Sequence, residues 1–476
     1  MSVGSVYNTR AGPSSTRNDM TLDLHALSPL DGRYAEKTAA LRPFLSEWAL
    51  MQYRLKVEVG WLLALSEAAE VTHIRQFSAA EEEFLTSLWA GFDDCAACRI
   101  KDIEARTKHD VKAVEYYIRE CLRDGDLCDV ESSVHFACTS DDINNLAYAM
   151  MFRDAMCRVW LPAANSVLEQ IATLARQSAA TPMLARTHGQ AATPTTLGKE
   201  LAVFSHRLKR QLRQVEAQEY LGKFNGATGA YNAHRIAYPD VDWRELSQQF
   251  VVGLGLAFNP LTTQIEPHDY LAELAHSLMR FNTVLLDFCR DIWSYISLGV
   301  FRQQAAADDI GSSTMPHKVN PIDFENAEAN LGISHSGLAH LAGKLPVSRM
   351  QRDLSDSSAL RNYGVAIAHS YLALLSIQSG LKKLAVNHDA LAADLEDAWE
   401  VLAEAIQTIL RKRGHADAYE RLKALTRGQQ VTRAGLREFI AGLDLPSDES
   451  TRLLELTPTS YLGFAEELAL EAVGTE

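Results

Sequence analysis

The 14 prolines of this chain are unevenly placed. None lies between Pro43 and Pro162, and none between Pro346 and Pro446. A proline inside a helix removes a backbone hydrogen bond and costs about 3 kcal/mol, so gaps this long suit helices. Alternating β-branched runs are short and Asn-Gly turns are scarce, leaving little signal for strands. The predicted fold class is all-α: three helical domains with a central long-helix bundle.

Apolar periodicity supports the same reading. Thr193-Pro194 offers a capping threonine followed by a first-turn proline. From there Leu197, Leu201, Phe204, Leu208, Leu212 and Val215 recur at spacings of four and three. This predicts a helix from 193 to about Gly222, roughly 40 Å long at 1.5 Å per residue. A second stripe starts after Pro267-His268 and runs from Leu271 to Ile292, Tyr295 and Val300. Further helices are predicted after Pro162, near 322–342 and near 358–385. Helices well beyond the usual 11–12 residues imply an elongated bundle that packs against copies of itself. The expected divisions are a disordered tail 1–24, an N-terminal helical domain 25–128, a central bundle 129–380 and a C-terminal helical domain 381–476.

Composition narrows the partners. The chain has 476 residues, 46 basic and 61 acidic, for a net charge of −15. That balance argues against a broad nucleic-acid surface, which needs clustered Lys and Arg, and against an anionic membrane. It leaves room for a small anionic ligand in a locally basic pocket. With 47% hydrophobic residues, disorder as the main state is excluded. Seven scattered cysteines do not make a disulfide framework. The one CxxC, Cys95–Cys98, lacks the second pair that a structural zinc site requires and reads as two half-buried small residues. No uninterrupted apolar run reaches the 18 residues expected of a membrane span.

Short segments rich in Gly, Thr, Ser and His fall between the long helices, where polar loops on rigid scaffolds often carry function. Gly311-Ser312-Ser313-Thr314-Met315-Pro316-His317-Lys318-Val319-Asn320-Pro321 combines an anion-binding backbone with a cation and an amide. It could equally be a solvated connector. Arg186-Thr187-His188-Gly189-Gln190 places a histidine where it could act as acid or base. Cys138-Thr139-Ser140-Asp141-Asp142-Ile143-Asn144-Asn145 could bind a ligand or simply cap the next helix. Arg349 to Arg361, with Ser357 and Ser358, suits a phosphate or a charged helix end.

Taken together, these segments resemble the fumarase/aspartase superfamily, whose signature is similar to GSSTMPHKVNP at 311–321. Within it, SPLDGRY (28–34), KHDVKAVEYY (108–117), HFACTSDDINN (135–145), RTHGQAATPTTLGKE (186–200), TTQIEPHDY (262–270) and KLPVSRMQRDLSDSSALRN (344–362) resemble the bacterial-type adenylosuccinate lyase family. The resemblance runs from about residue 25 to the C-terminus. It implies a cytoplasmic carbon–nitrogen lyase of purine synthesis, active without metal or organic cofactor. Such an enzyme releases fumarate from adenylosuccinate, leaving AMP, and from the succinylated carboxamide ribotide SAICAR, leaving AICAR. It also implies a homotetramer whose active sites mix residues of several subunits.

By position, the resemblance makes Ser312 rather than Ser313 the general base, His188 the general acid and Glu325 the carboxylate paired with that histidine. Lys318 and Asn320 would hold the substrate carboxylate. Arg33, Tyr34, His109, Asp110, Thr139, Ser140, Gln264 and Asn326 would also contact substrate. Arg352, Ser357 and Arg361 would serve its nucleotide side. Lys108 stands where a close relative would have Asn before the histidine, and is left out of the site. The alternatives are another lyase of the superfamily, whose substrate need not carry a phosphate, and a catalytically silent helical scaffold.

Overall fold

A computed structural model describes residues 24–304, 315, 318–426 and 431–474, so nearly all of the expected tail lies outside the described residues. Helices dominate, and the fold is all-α in class. The strands among the described residues form three two-stranded sheets: Pro182–Thr187 against Gln190–Thr196, Leu221–Gly222 against Ala257–Phe258, and Phe301–Gln303 against Leu384–Val386.

The bundle is built from the predicted stripes. Helix Ile322–Lys344 packs on both Asp269–Ser297 and Tyr363–Lys382. Helix Leu197–Glu216 packs on Leu161–Gln177 and on Asp269–Ser297. Leu201, Leu208, Leu212, Leu274, Leu278, Phe281, Leu285 and Ile292 are all buried, each side chain contributing roughly 1.5–3 kcal/mol by leaving water. Close approach is enforced at Gly380, where an added Cβ would sit 2.8 Å from the Phe324 ring. The segment Ser355–Lys382 has the length and composition of a membrane span, yet 72% of its apolar window is buried within the protein; it is a core element.

Three boundaries differ from the expectation. Thr193 and Pro194 do not start a helix; Pro194 lies in a strand opposite Leu184. The helix starts at Leu197, where the Thr196 hydroxyl accepts the Lys199 N–H at 3.1 Å. It ends at Glu216 after 20 residues, about 30 Å at the standard rise. Nor does a helix open at Pro162. Ser140–Ala155 runs through a π-helical turn, Met156–Trp160, into Leu161–Gln177. A π turn absorbs the hydrogen bond that Pro162 cannot make. Finally, the 358–385 helix is interrupted at Arg361-Asn362, between Ser355–Leu360 and Tyr363–Lys382. Cys95 and Cys98, expected half-buried, are exposed.

At the N-terminal side, helix Glu47–Glu67 packs on Ser140–Ala155 and on Asp110–Asp124. A separate apolar cluster gathers Leu395, Leu402, Ile406, Leu410, Leu436 and Ile440, with Leu184 of the first sheet inserted into it. The last described helix, Ala465–Val473, returns to the bundle and packs on Leu197–Glu216 and Leu161–Gln177.

Candidate active site

Six of the sequence-selected residues line one cavity of about 360 Å³: His109, Asp110, Ser140, Arg352, Ser357 and Arg361. They come from three helices and the segment before the last of them. His109 caps helix Asp110–Asp124, its ring Nδ1 accepting the Lys112 N–H at 3.2 Å. Ser140 opens its helix directly after Thr139. Ser357 lies in the short helix Ser355–Leu360, and Arg361 follows its end. Helix ends leave backbone groups and short polar side chains free to face a ligand.

Charge in this cavity is organised around Asp110. Its Oδ2 accepts from Arg54 at 2.7 Å and from Arg361 at 2.9 Å. Burial alone would raise its pKa, but the two guanidiniums and the Val111 N–H hold it at about 2. Arg352 donates to the Gln264 amide oxygen at 3.1 Å, while the Gln264 amide nitrogen donates to the Ala227 carbonyl at 3.0 Å. Gln264 is thus joined to the cavity wall through Arg352.

A buried ion pair holds the loops behind this wall. Lys223 Nζ and Asp142 Oδ1 are 2.8 Å apart, and both side chains are fully buried. Asp142 also accepts from the backbone N–H groups of Thr139, Asn225 and Gly226 at 2.8–3.3 Å. It therefore ties the Thr139–Ser140 turn to the 223–227 loop that anchors Gln264. A second buried pair, His268 with Asp356 at 3.6 Å, docks the Ser357 helix. Burial pulls the His268 pKa down, but the carboxylates of Asp356, Glu266 and Asp141 outweigh it and leave it raised.

The other selected residues are placed elsewhere. Asn326 donates to the Tyr34 hydroxyl at 3.1 Å and accepts from Ser376 at 2.8 Å. Arg33 is exposed, 6.0 Å from the centre of the Tyr34 ring. Glu325, in the first turn of Ile322–Lys344, accepts from the Trp293 indole at 3.1 Å. Lys318 is exposed and Asn320 half-buried in the segment entering that helix. Ser312 lies outside the described residues, as do Gly311 and Ser313.

His188 is at the tip of the hairpin formed by the first two strands. Thr187 pairs with Gln190, leaving His188 and Gly189 as the turn. Their φ angles, 55° and 74°, are both positive, as a two-residue hairpin turn of matching twist requires. A non-glycine residue there is uncommon. The hairpin strands are tethered by Arg186 to Asp394 and by Thr193 to Glu404, each at 2.6 Å. The tip is exposed, and among the described residues His188 has no hydrogen-bond or ion-pair partner. Within one chain His188 and Glu325 are therefore not bonded to each other.

Sequence reasoning missed Arg54 and Tyr148, which line the same cavity, and had Asn144 only as part of the Cys138–Asn145 segment. Arg54 gave a usable signal: a charge inside the apolar run of helix Glu47–Glu67, where it is 3% exposed. A charged residue buried to that degree needs a partner, and Asp110 and Asn144 provide it, the latter at 2.8 Å.

Comparison with known proteins bears on the chain's family and fold. A family described as Lyase matches residues 32–332, and one described as Adenylosuccinate lyase C-terminal matches 348–462. Adenylosuccinate lyase of Vibrio cholerae serotype O1 is 52% identical over 447 residues, covering 94% of this chain and 98% of that protein. The enzyme of the same name from Escherichia coli strain K12 is 52% identical, covering 93% and 97%. Among solved structures, a fumarate lyase from Mesorhizobium sp. BNC1 superposes with a TM-score of 0.73 at 19% identity, over 92% of this chain and 97% of that one. The 3-carboxy-cis,cis-muconate lactonizing enzyme of Pseudomonas putida gives 0.70 at 23%, over 91% and 96%. At such identities the structural likeness speaks for the fold.

Proposed function

The chain belongs to the adenylosuccinate lyase family, within the fumarase/aspartase superfamily, and on that premise we propose how its own residues carry out the lyase reaction. The observation that carries the reading is similarity near 52% along almost the whole chain. The substrates are adenylosuccinate and SAICAR. Each loses fumarate as a carbon–nitrogen bond breaks, leaving AMP or AICAR. The setting is the cytoplasm, in purine synthesis.

In this reading Ser312 accepts the proton from the carbon next to the succinyl carboxylate. The electron pair forms the fumarate double bond, and His188 protonates the departing nitrogen. The intermediate concentrates negative charge on one carboxyl group. Lys318 and Asn320 stabilise it, a type of contact worth roughly 3–4 kcal/mol per well-placed donor. Arg352, Ser357 and Arg361 hold the nucleotide phosphate. A net charge of −15 repels such an anion overall, so binding depends on these local groups.

The proposal includes a homotetramer with shared sites. Support comes from the exposed positions of His188 and Glu325, which share no bond in one chain. Glu325 of one copy would meet His188 of another, favouring the protonated imidazole. The proposed divisions remain a tail 1–24, then 25–128, 129–380 and 381–476.

The test is fumarate release, followed by absorbance, on adenylosuccinate, argininosuccinate, aspartate and malate. Cleavage of adenylosuccinate alone is expected; none with any of the four would favour the silent scaffold. Mixing refolded His188→Ala with Glu325→Gln should restore activity that neither has alone. Its failure would argue against sites shared in this way.

A further inference from the structure

Lys108 lies in the wall of the same cavity as Arg352, Ser357 and Arg361. It ends helix Asp94–Thr107 in the left-handed conformation, with φ 57° and ψ 27°, its N–H bonded to the Glu104 carbonyl at 2.8 Å. Glycine or asparagine suits such a helix end; lysine does so poorly. The backbone therefore gives no reason for a lysine here, and the side chain must.

The surrounding charges are already committed. Glu104 is held by Lys101 at 2.7 Å, and Asp110 by Arg54 and Arg361. Lys112 is 2.7 Å from Glu115. Lys108 is exposed, and among the described residues its side chain has no hydrogen-bond or ion-pair partner. Arg352, which also faces the cavity, has its Nε buried without an acceptor. Two cationic side chains with unmet capacity thus border one space that also presents Ser357 and Ser140.

We propose that Lys108 is a binding residue for the phosphate of the nucleotide substrate, acting with Arg352. The proposal rests on the lyase reading for the identity of that nucleotide. Lysine supplies a point charge on a long, flexible stem, able to follow a phosphate at the cavity mouth while Arg352 stays fixed by Gln264. It sets specificity, favouring the phosphorylated substrate over the corresponding nucleoside.

The experiment compares the native enzyme with Lys108→Asn and Lys108→Arg. For adenylosuccinate, Lys108→Asn should raise KM about tenfold, the usual worth of one charge-assisted contact, with the effect on KM rather than kcat. Native KM should rise with ionic strength more steeply than that of Lys108→Asn, and Lys108→Arg should restore most of the affinity. With succinyladenosine, which lacks the phosphate, native and Lys108→Asn should be equal. Because asparagine accepts the left-handed backbone, Lys108→Asn should fold at least as stably as native.

Calorimetric binding of AMP separates this idea from the reaction itself. A native enzyme that binds AMP about tenfold more tightly than Lys108→Asn supports the lysine even if adenylosuccinate is not cleaved. Equal AMP affinity and equal KM in the two proteins overturn it, whatever the turnover. A native protein that neither cleaves adenylosuccinate nor binds AMP overturns both readings.

Discussion

At the cavity, Arg54 and Arg361 share Asp110, Arg352 is held by Gln264, and the loops behind are joined by the buried Lys223–Asp142 pair. At the hairpin tip, His188 stands exposed on a turn whose flanking strands are tethered through Arg186 and Thr193. One region is assembled within a single chain by interlocking charged and polar groups. The other presents its key side chain outward at little structural cost. In the proposed mechanism this contrast would be a division of labour: the cavity would fix the nucleotide, and the exposed groups would bring the acid–base chemistry to it from neighbouring copies.

The two regions should therefore fail differently. The largest effect is expected behind the cavity. Lys223→Met leaves Asp142 charged and buried, and should cost about 3–5 kcal/mol of stability, measured by urea unfolding. A loss below about 1 kcal/mol would show that the pair is not the fastening described. At the hairpin, His188→Ala should lower turnover by about a hundredfold or more while the unfolding midpoint stays put. Ser312→Ala should behave likewise, and near-native turnover in either would remove that residue from acid–base work. Arg361→Ala should raise KM for adenylosuccinate about tenfold, with a smaller change in kcat; the reverse pattern would blur the division between regions.

The smallest effect concerns pH. The raised pKa of His268 means that its ion pair with Asp356 contributes fully below the ordinary histidine value of 6.5. That contribution is lost as pH rises through the higher, folded value. Native stability should thus decline on this alkaline side, and His268→Asn should flatten the decline in pH-dependent unfolding. An identical slope in both proteins would show that the pair does not help dock the Ser357 helix.

The long helices were legible because their stripes are periodic, and Leu197 to Val215 is buried as the spacing required. Their ends were less so. Thr193-Pro194 has the residues of a helix start, but pairing with Leu184 across the hairpin overrode that local preference. The hairpin itself escaped notice because its turn is His188-Gly189 rather than Asn-Gly. Pro162 likewise marks a helix start by local rules, yet the π turn Met156–Trp160 before it carries the helix through. For the site, contiguous motifs located His109, Arg352 and Arg361. Arg54 joins them only through folding, from a helix 56 residues away from Asp110. Periodicity carries no information on which helix ends will meet.

One consequence follows from the returning helix Ala465–Val473. Ala469 and Val473 belong to the main core, and Arg176 reaches the Gly474 carbonyl across 298 positions of sequence. During synthesis at 5–20 residues per second, that separation corresponds to roughly 15–60 s. Throughout that interval, the outer flank of helices Leu161–Gln177 and Leu197–Glu216 waits on the ribosome without its cover. A premature stop codon near residue 460 would leave that flank permanently bare.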